Sequence, residues 1–154
     1  MKKIAIATFL AFVSIAASAL DIGVLGGETF NSNKHSDNSF GLTVGQNFGK
    51  LGVTAEADHN FSKRTLTNAN RYSLITSYEV TKVGKAQLSA KAGVDYLTAS
   101  HGLTGGYGLM AGVGASLPVT QKISATFDYR YDAGQSRVKA QNGNQFLVGV
   151  KYSF

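Results

Sequence analysis

Two groups of residues in this chain carry side chains able to do chemistry. The first is hydrolytic in type: His35 beside Ser36 and Asp37, His59 three residues before Ser62, and Ser100 beside His101. A hydroxyl nucleophile needs a general base within hydrogen-bond reach and a third group to orient that base. The second is ionic: Glu56 and Asp58, Lys91, Asp128 and Arg130, accompanied by Asp21, Arg71, Glu79, Asp95, Asp132 and Lys151. In a confined space such acids and bases either neutralise one another or line a path for ions. The elements that hold them decide which.

Those elements are strands. Beyond the first 19 residues no segment sustains a 3.6-residue apolar period, whereas alternating segments recur between clusters of Gly, Asn, Ser, Asp and Lys. The alternation predicts eight strands, over 20–30, 38–48, 51–61, 71–80, 86–97, 107–117, 123–132 and 145–154. Segments of about ten residues cross a bilayer when tilted. The connections between them alternate long and short, as in a transmembrane barrel.

Residues 1–19 precede this pattern with Lys2 and Lys3, an apolar run from Ile4 to Ala17, and the small residues Ala17, Ser18 and Ala19. They are expected to be a secretory signal peptide cleaved after Ala19, leaving 20–154 as one β-barrel domain. A second domain does not fit that length. The absence of Cys among the 154 residues excludes disulfide scaffolds and thiolate metal sites. No apolar run after the leader is long enough for a transmembrane helix.

Alternate residues of a strand lie on opposite faces, and a lipid-facing surface rejects charge. In 51–61, Leu51, Val53, Ala55 and Ala57 share one face while Glu56 and Asp58 lie on the other; in 123–132, Ile123, Ala125, Phe127, Tyr129 and Tyr131 oppose Asp128, Arg130 and Asp132. Asp21, Arg71, Glu79, Lys91, Asp95 and Lys151 take the same charged face in their own strands, and only Glu28 and His59 depart from it, near the long-loop ends. A soluble sandwich alternates too, so aromatic placement matters. One aromatic falls at the long-loop end of each strand: Phe30, Phe40, Phe61, Tyr72, Tyr96, Tyr107, Tyr131 and Phe146. Phe48, Tyr78, Tyr152 and Phe154 occupy the other end. The fold class expected is an all-β, eight-stranded, antiparallel, up-and-down transmembrane barrel with charges inside.

The chain closes with Phe146, Leu147, Val148, Gly149, Val150, Lys151, Tyr152, Ser153 and Phe154, apolar or aromatic at every second position. This resembles the terminal-strand signal of bacterial outer-membrane barrels. Taken with the leader and the eight strands, residues 20–154 resemble the small eight-stranded outer-membrane barrel family. Its members include the transmembrane domain of outer-membrane protein A, outer-membrane protein X and the opacity-type surface proteins. The resemblance implies a Gram-negative outer-membrane location and recognition of Phe146, Val148, Val150, Tyr152 and Phe154 by the barrel assembly machinery. It carries no expectation of the peptidoglycan-binding part of outer-membrane protein A. Outer loops this short also make extensive receptor binding of the opacity type less expected.

Within that frame the ionic group becomes a lumen network of Glu56, Asp58, Lys91, Asp128 and Arg130. Counting along each strand from the short turns sets Glu56, Lys91 and Asp128 level, with Asp58 and Arg130 above them. Lys91 is then expected between carboxylates, and Arg130 against Asp58. Gly23, Gly41, Gly45, Gly93, Gly108, Gly112, Gly114 and Gly149 leave room for these side chains. A structural plug and a narrow porin-like channel in which the pairs exchange partners both fit. The resemblance favours the plug, since outer-membrane protein A carries a comparable inward network.

The hydrolytic group fares less well. Adjacent strand residues point to opposite faces, so neither His35 and Ser36 nor Ser100 and His101 can form a dyad on a strand. A lipid A-modifying enzyme stays as an alternative, but no catalytic residue, metal or cofactor is expected. The remaining charge is basic, with Lys34, Lys63, Arg64, Arg137 and Lys139 on the long loops as candidate contacts for lipopolysaccharide phosphates. Outer-membrane lipid and lipopolysaccharide are the expected partners. Nucleic acid is not, and a monomer is, because a closed barrel leaves no edge to pair.

Overall fold

A computed structural model describes residues 20–31, 36–61, 69–99, 105–134 and 143–154. Eight strands follow one another in chain order: β1 (Leu20–Asn31), β2 (Ser36–Phe48), β3 (Leu51–Phe61), β4 (Ala69–Val83), β5 (Ala86–Ala99), β6 (Gly106–Pro118), β7 (Ile123–Gly134) and β8 (Gly143–Ser153). Each pairs antiparallel with its neighbours, and β1 pairs with β8, so the sheet closes into a barrel. Closure satisfies every strand edge, the one sheet arrangement a bilayer tolerates.

The strands are longer than the periodicity suggests, chiefly at the long-loop ends. The largest difference is in β4, where the expected connection over 81–85 shrinks to Gly84 and Lys85. A bulge between Glu79 and Thr81 shifts the register by one residue and lets pairing continue to Val83 and Ala86. The bulge reverses the alternation, so the tail of the strand reads as a loop in sequence. Gly49 and Gly84 open the two tightest turns with φ of 65° and 61°. The primed hairpin turns that match strand twist require this left-handed conformation, which glycine adopts without strain.

The faces separate as expected. All twelve aromatics of the two girdles are outward and exposed, as are Leu42, Leu74, Val94, Val113, Val148 and Val150 between them. The buried residues are mostly polar or charged, among them Asp21, Glu56, Asp58, Arg71, Asp95, Arg130 and Asp132. The molecule is thus apolar outside and ionic inside, the reverse of a water-soluble domain. No helix among the described residues is long and apolar enough to cross a membrane; the strands do so instead.

Candidate functional site

The candidate site is the lumen. Its charged side chains depend on small partners in register across the sheet: Lys91 and Arg130 both face Gly112, Asp95 faces Gly108, Asp128 faces Gly114 and Asp58 faces Gly41. A Cβ on Gly41 would strike the Asp58 carboxylate, one on Gly108 that of Asp95, and one on Gly114 both Asp128 and Lys91. Glycine therefore gives the long side chains space to cross an interior that eight strands would otherwise fill.

Three ionic groups succeed one another along the barrel axis. Nearest the short turns, Asp21 accepts hydrogen bonds from Asn47 Nδ2 (2.6 Å), Lys151 Nζ (2.9 Å) and Ser153 Oγ (2.5 Å), tying β1 to both neighbours. At mid-height Lys91 Nζ donates to Asp128 Oδ1 at 2.5 Å. Arg130 Nη2 donates to Asp128 Oδ2 and to Glu56 Oε2, both at 2.8 Å, and Nη1 donates to Glu56 Oε1. The Arg130–Glu56 contact is the bidentate fork that carboxylates and guanidinium form best. Nearer the loops, Arg71 pairs with Asp95 (3.3 Å) and Asp132 (2.8 Å).

Four of the five expected network residues, Glu56, Lys91, Asp128 and Arg130, meet in the middle group. Asp58 forms no ion pair with them but lies against the Glu56 carboxylate, and the expected Arg130–Asp58 pair is replaced by Arg130–Glu56. Closing a barrel staggers its strands, so a residue count from the turns misjudges level across the lumen. Asp58 leans over Gly41 on β2 and makes no salt bridge to Arg71, its register partner on β4. No donor among the described residues reaches either Asp58 oxygen. The Arg71–Asp95–Asp132 group was legible as inward charge but not as a cluster, because it joins β4, β5 and β7 through the barrel interior.

The sequence reading also missed the apolar part of the interior. Leu25, Ile75, Leu97, Met110 and Leu147 are buried among the charges. Their signal is apolar residues at the charged parity. Below them, a cavity of about 240 Å³ extends from the short turns to the middle group, lined by polar residues such as Asn47, Thr54, Ser77 and Ser89. Arg130, 1% exposed, is among the residues that line it.

Of the hydrolytic residues, Ser36, Asp37 and His59 lie within the described strands. His59 lies on the outer wall, its Nδ1 2.6 Å from Asn70 Oδ1 and its ring edge-on to Phe61. His35, Ser62, Ser100 and His101 lie outside the described residues, as do residues 1–19 and the loop cations Lys34, Lys63, Arg64, Arg137 and Lys139. Among the described residues no group of His, Cys, Asp and Glu is arranged to hold a metal.

This construction is that of a transmembrane β-barrel, and comparison with solved structures gives the same class. The N-terminal β-barrel domain of Pseudomonas aeruginosa OprF superposes with a TM-score of 0.71 at 14% identity, covering 89% of this chain and 98% of that one. Neisserial surface protein A gives 0.69 at 16% identity over 88% and 96%. The outer membrane protein OprG of Pseudomonas aeruginosa gives 0.67 at 15% over 89% and 96%. No protein-family model matches the sequence, and a search of curated proteins finds no match. The fold is that of the small eight-stranded outer-membrane β-barrels.

Proposed function

We propose that residues 20–154 form a non-enzymatic barrel of the bacterial outer membrane, exported by residues 1–19, that supports envelope integrity and acts through its outward surface. The observation that supports this reading is the buried ion cluster of Arg130, Glu56 and Asp128 in a lumen that also buries Leu25, Ile75 and Leu147. Buried ions held in bidentate pairs cost several kcal/mol to separate. On this reading the lumen is a plug, and function lies with the loops. Lys34, Lys63, Arg64, Arg137 and Lys139 would meet lipopolysaccharide phosphates, with a salt-dependent affinity. Phe146, Val148, Val150, Tyr152 and Phe154 would serve the assembly machinery, and the barrel would act as a monomer.

The polar cavity favours a second reading, a narrow channel gated at the middle group. Single-channel recording of the inserted barrel separates the two. The plug predicts silence from wild type and from Lys91→Ala, because Arg130 and the Arg71 group still close the passage. Discrete openings that change on Lys91→Ala would establish the channel.

A further inference from the structure

Among the described strand residues, Glu28 is the one carboxylate on the outward parity. It stands beside Phe146 in the β1–β8 register and Asn38 in the β1–β2 register, exposed near the loop end of the wall. No cation pairs with it among the described residues. A carboxylate set in an apolar wall is destabilising unless a cation neutralises it.

The wall beside Glu28 is grooved. A depression of about 870 Å³ runs obliquely from Val80 on β4 to Glu28 and Phe30 on β1. Two successive register rows build it. One passes through Ala90, Val113, Tyr129, Phe146 and Glu28; the other passes through Leu88, Ala115, Phe127, Val148 and Gly26. Ala90 and Ala115 give the depth and the aromatic side chains give the walls. Its size lies within the about 300–1,000 Å³ of ordinary ligand sites. At the loop end Phe146 packs edge-on to Phe30 (5.8 Å) and tilted against Tyr129 (4.8 Å), so aromatic rings flank the carboxylate.

An anionic oxygen beside aromatic rings selects a cation, through charge and through ring quadrupoles together. A lipid-facing groove selects an acyl chain. We propose that this groove is a docking site for a lipid whose head group carries a primary amine, with the chain lying along Ala90 and Ala115 and the ammonium on Glu28. The proposal rests on the reading of this wall as lipid-facing.

The test is native mass spectrometry of the barrel folded in detergent micelles. Phosphatidylethanolamine and phosphatidylglycerol of identical chains are supplied in equal amounts. Folding is verified by heat-dependent gel migration. Wild type should retain the ethanolamine lipid over the glycerol lipid by roughly three- to fivefold, the range of an exposed ion pair. Glu28→Gln should equalise the two, and Ala115→Phe, which fills the groove, should lower retention of both. Equal retention by wild type, or a preference unchanged in Glu28→Gln, would overturn the proposal. Failure of the chain to fold in micelles or insert into vesicles would instead remove the membrane reading beneath it.

Discussion

The two halves of the lumen handle buried charge in opposite ways. Toward the short turns, Lys151 and Lys91 pair with carboxylates while 27% and 20% of their side chains stay exposed, and Ser, Thr and Asn line the cavity of about 240 Å³ around them. Toward the loops, Arg71 shares its guanidinium between Asp95 and Asp132 with almost no exposure, and Leu97 and Met110 pack in the same half. The Lys151–Asp21 pair in the first half keeps solvent access, so it adds little to stability and costs little to lose. The second has exchanged hydration for contacts within the protein, so each pair is costly to break although its net contribution can be small. The Arg130 group lies at the boundary between the two.

The comparison is most directly broken at that boundary. Arg130→Ala leaves Glu56 and Asp128 buried without their shared cation, and the barrel should lose about 3–5 kcal/mol of stability, read from urea unfolding in micelles. Replacing Arg130 by Met together with Glu56 by Leu should recover much of that loss. If the single variant is as stable as wild type, the boundary is hydrated as well.

Next in size is a crowding effect. A Cβ on Gly112 would meet the backbone oxygen of Tyr129 at 2.3 Å and crowd Arg130, so Gly112→Val should cost about 1–3 kcal/mol by the same measurement. The absence of cysteine allows the hydration contrast to be sharpened chemically. A thiol placed at Ser89, in the cavity lining, should react with a small water-soluble reagent from the short-turn side. A thiol at Ser73, 6% exposed in the loop half, should not. Equal reactivity would erase the distinction between the halves. The smallest effect belongs to Lys151→Ala, which should cost no more than about 1 kcal/mol because its partner Asp21 keeps Asn47 and Ser153 and water has access.

Much of this architecture was legible in the amino-acid order because a strand has a period of two and a bilayer enforces it. The placement of Glu56, Asp58, Asp128 and Arg130 opposite Ala55, Ala57, Phe127 and Tyr129 is enough to identify the inward face. The aromatic at each strand end marks the membrane boundary. The turn at Gly49 and Lys50 was equally local. What misled the reading was also local: a single extra residue at Val80 inverts the alternation and disguises the end of β4.

Pairing was not legible. Arg130 meets Glu56, 74 positions away, and Arg71 reaches Asp132 from a strand with which it shares no register. Sequence alone determined which side chains enter the lumen, because facing follows from parity along one strand. Only the closed tertiary structure decided which of them touch, because stagger between strands fixes height across the barrel and glycine on a neighbouring strand fixes which way each side chain leans.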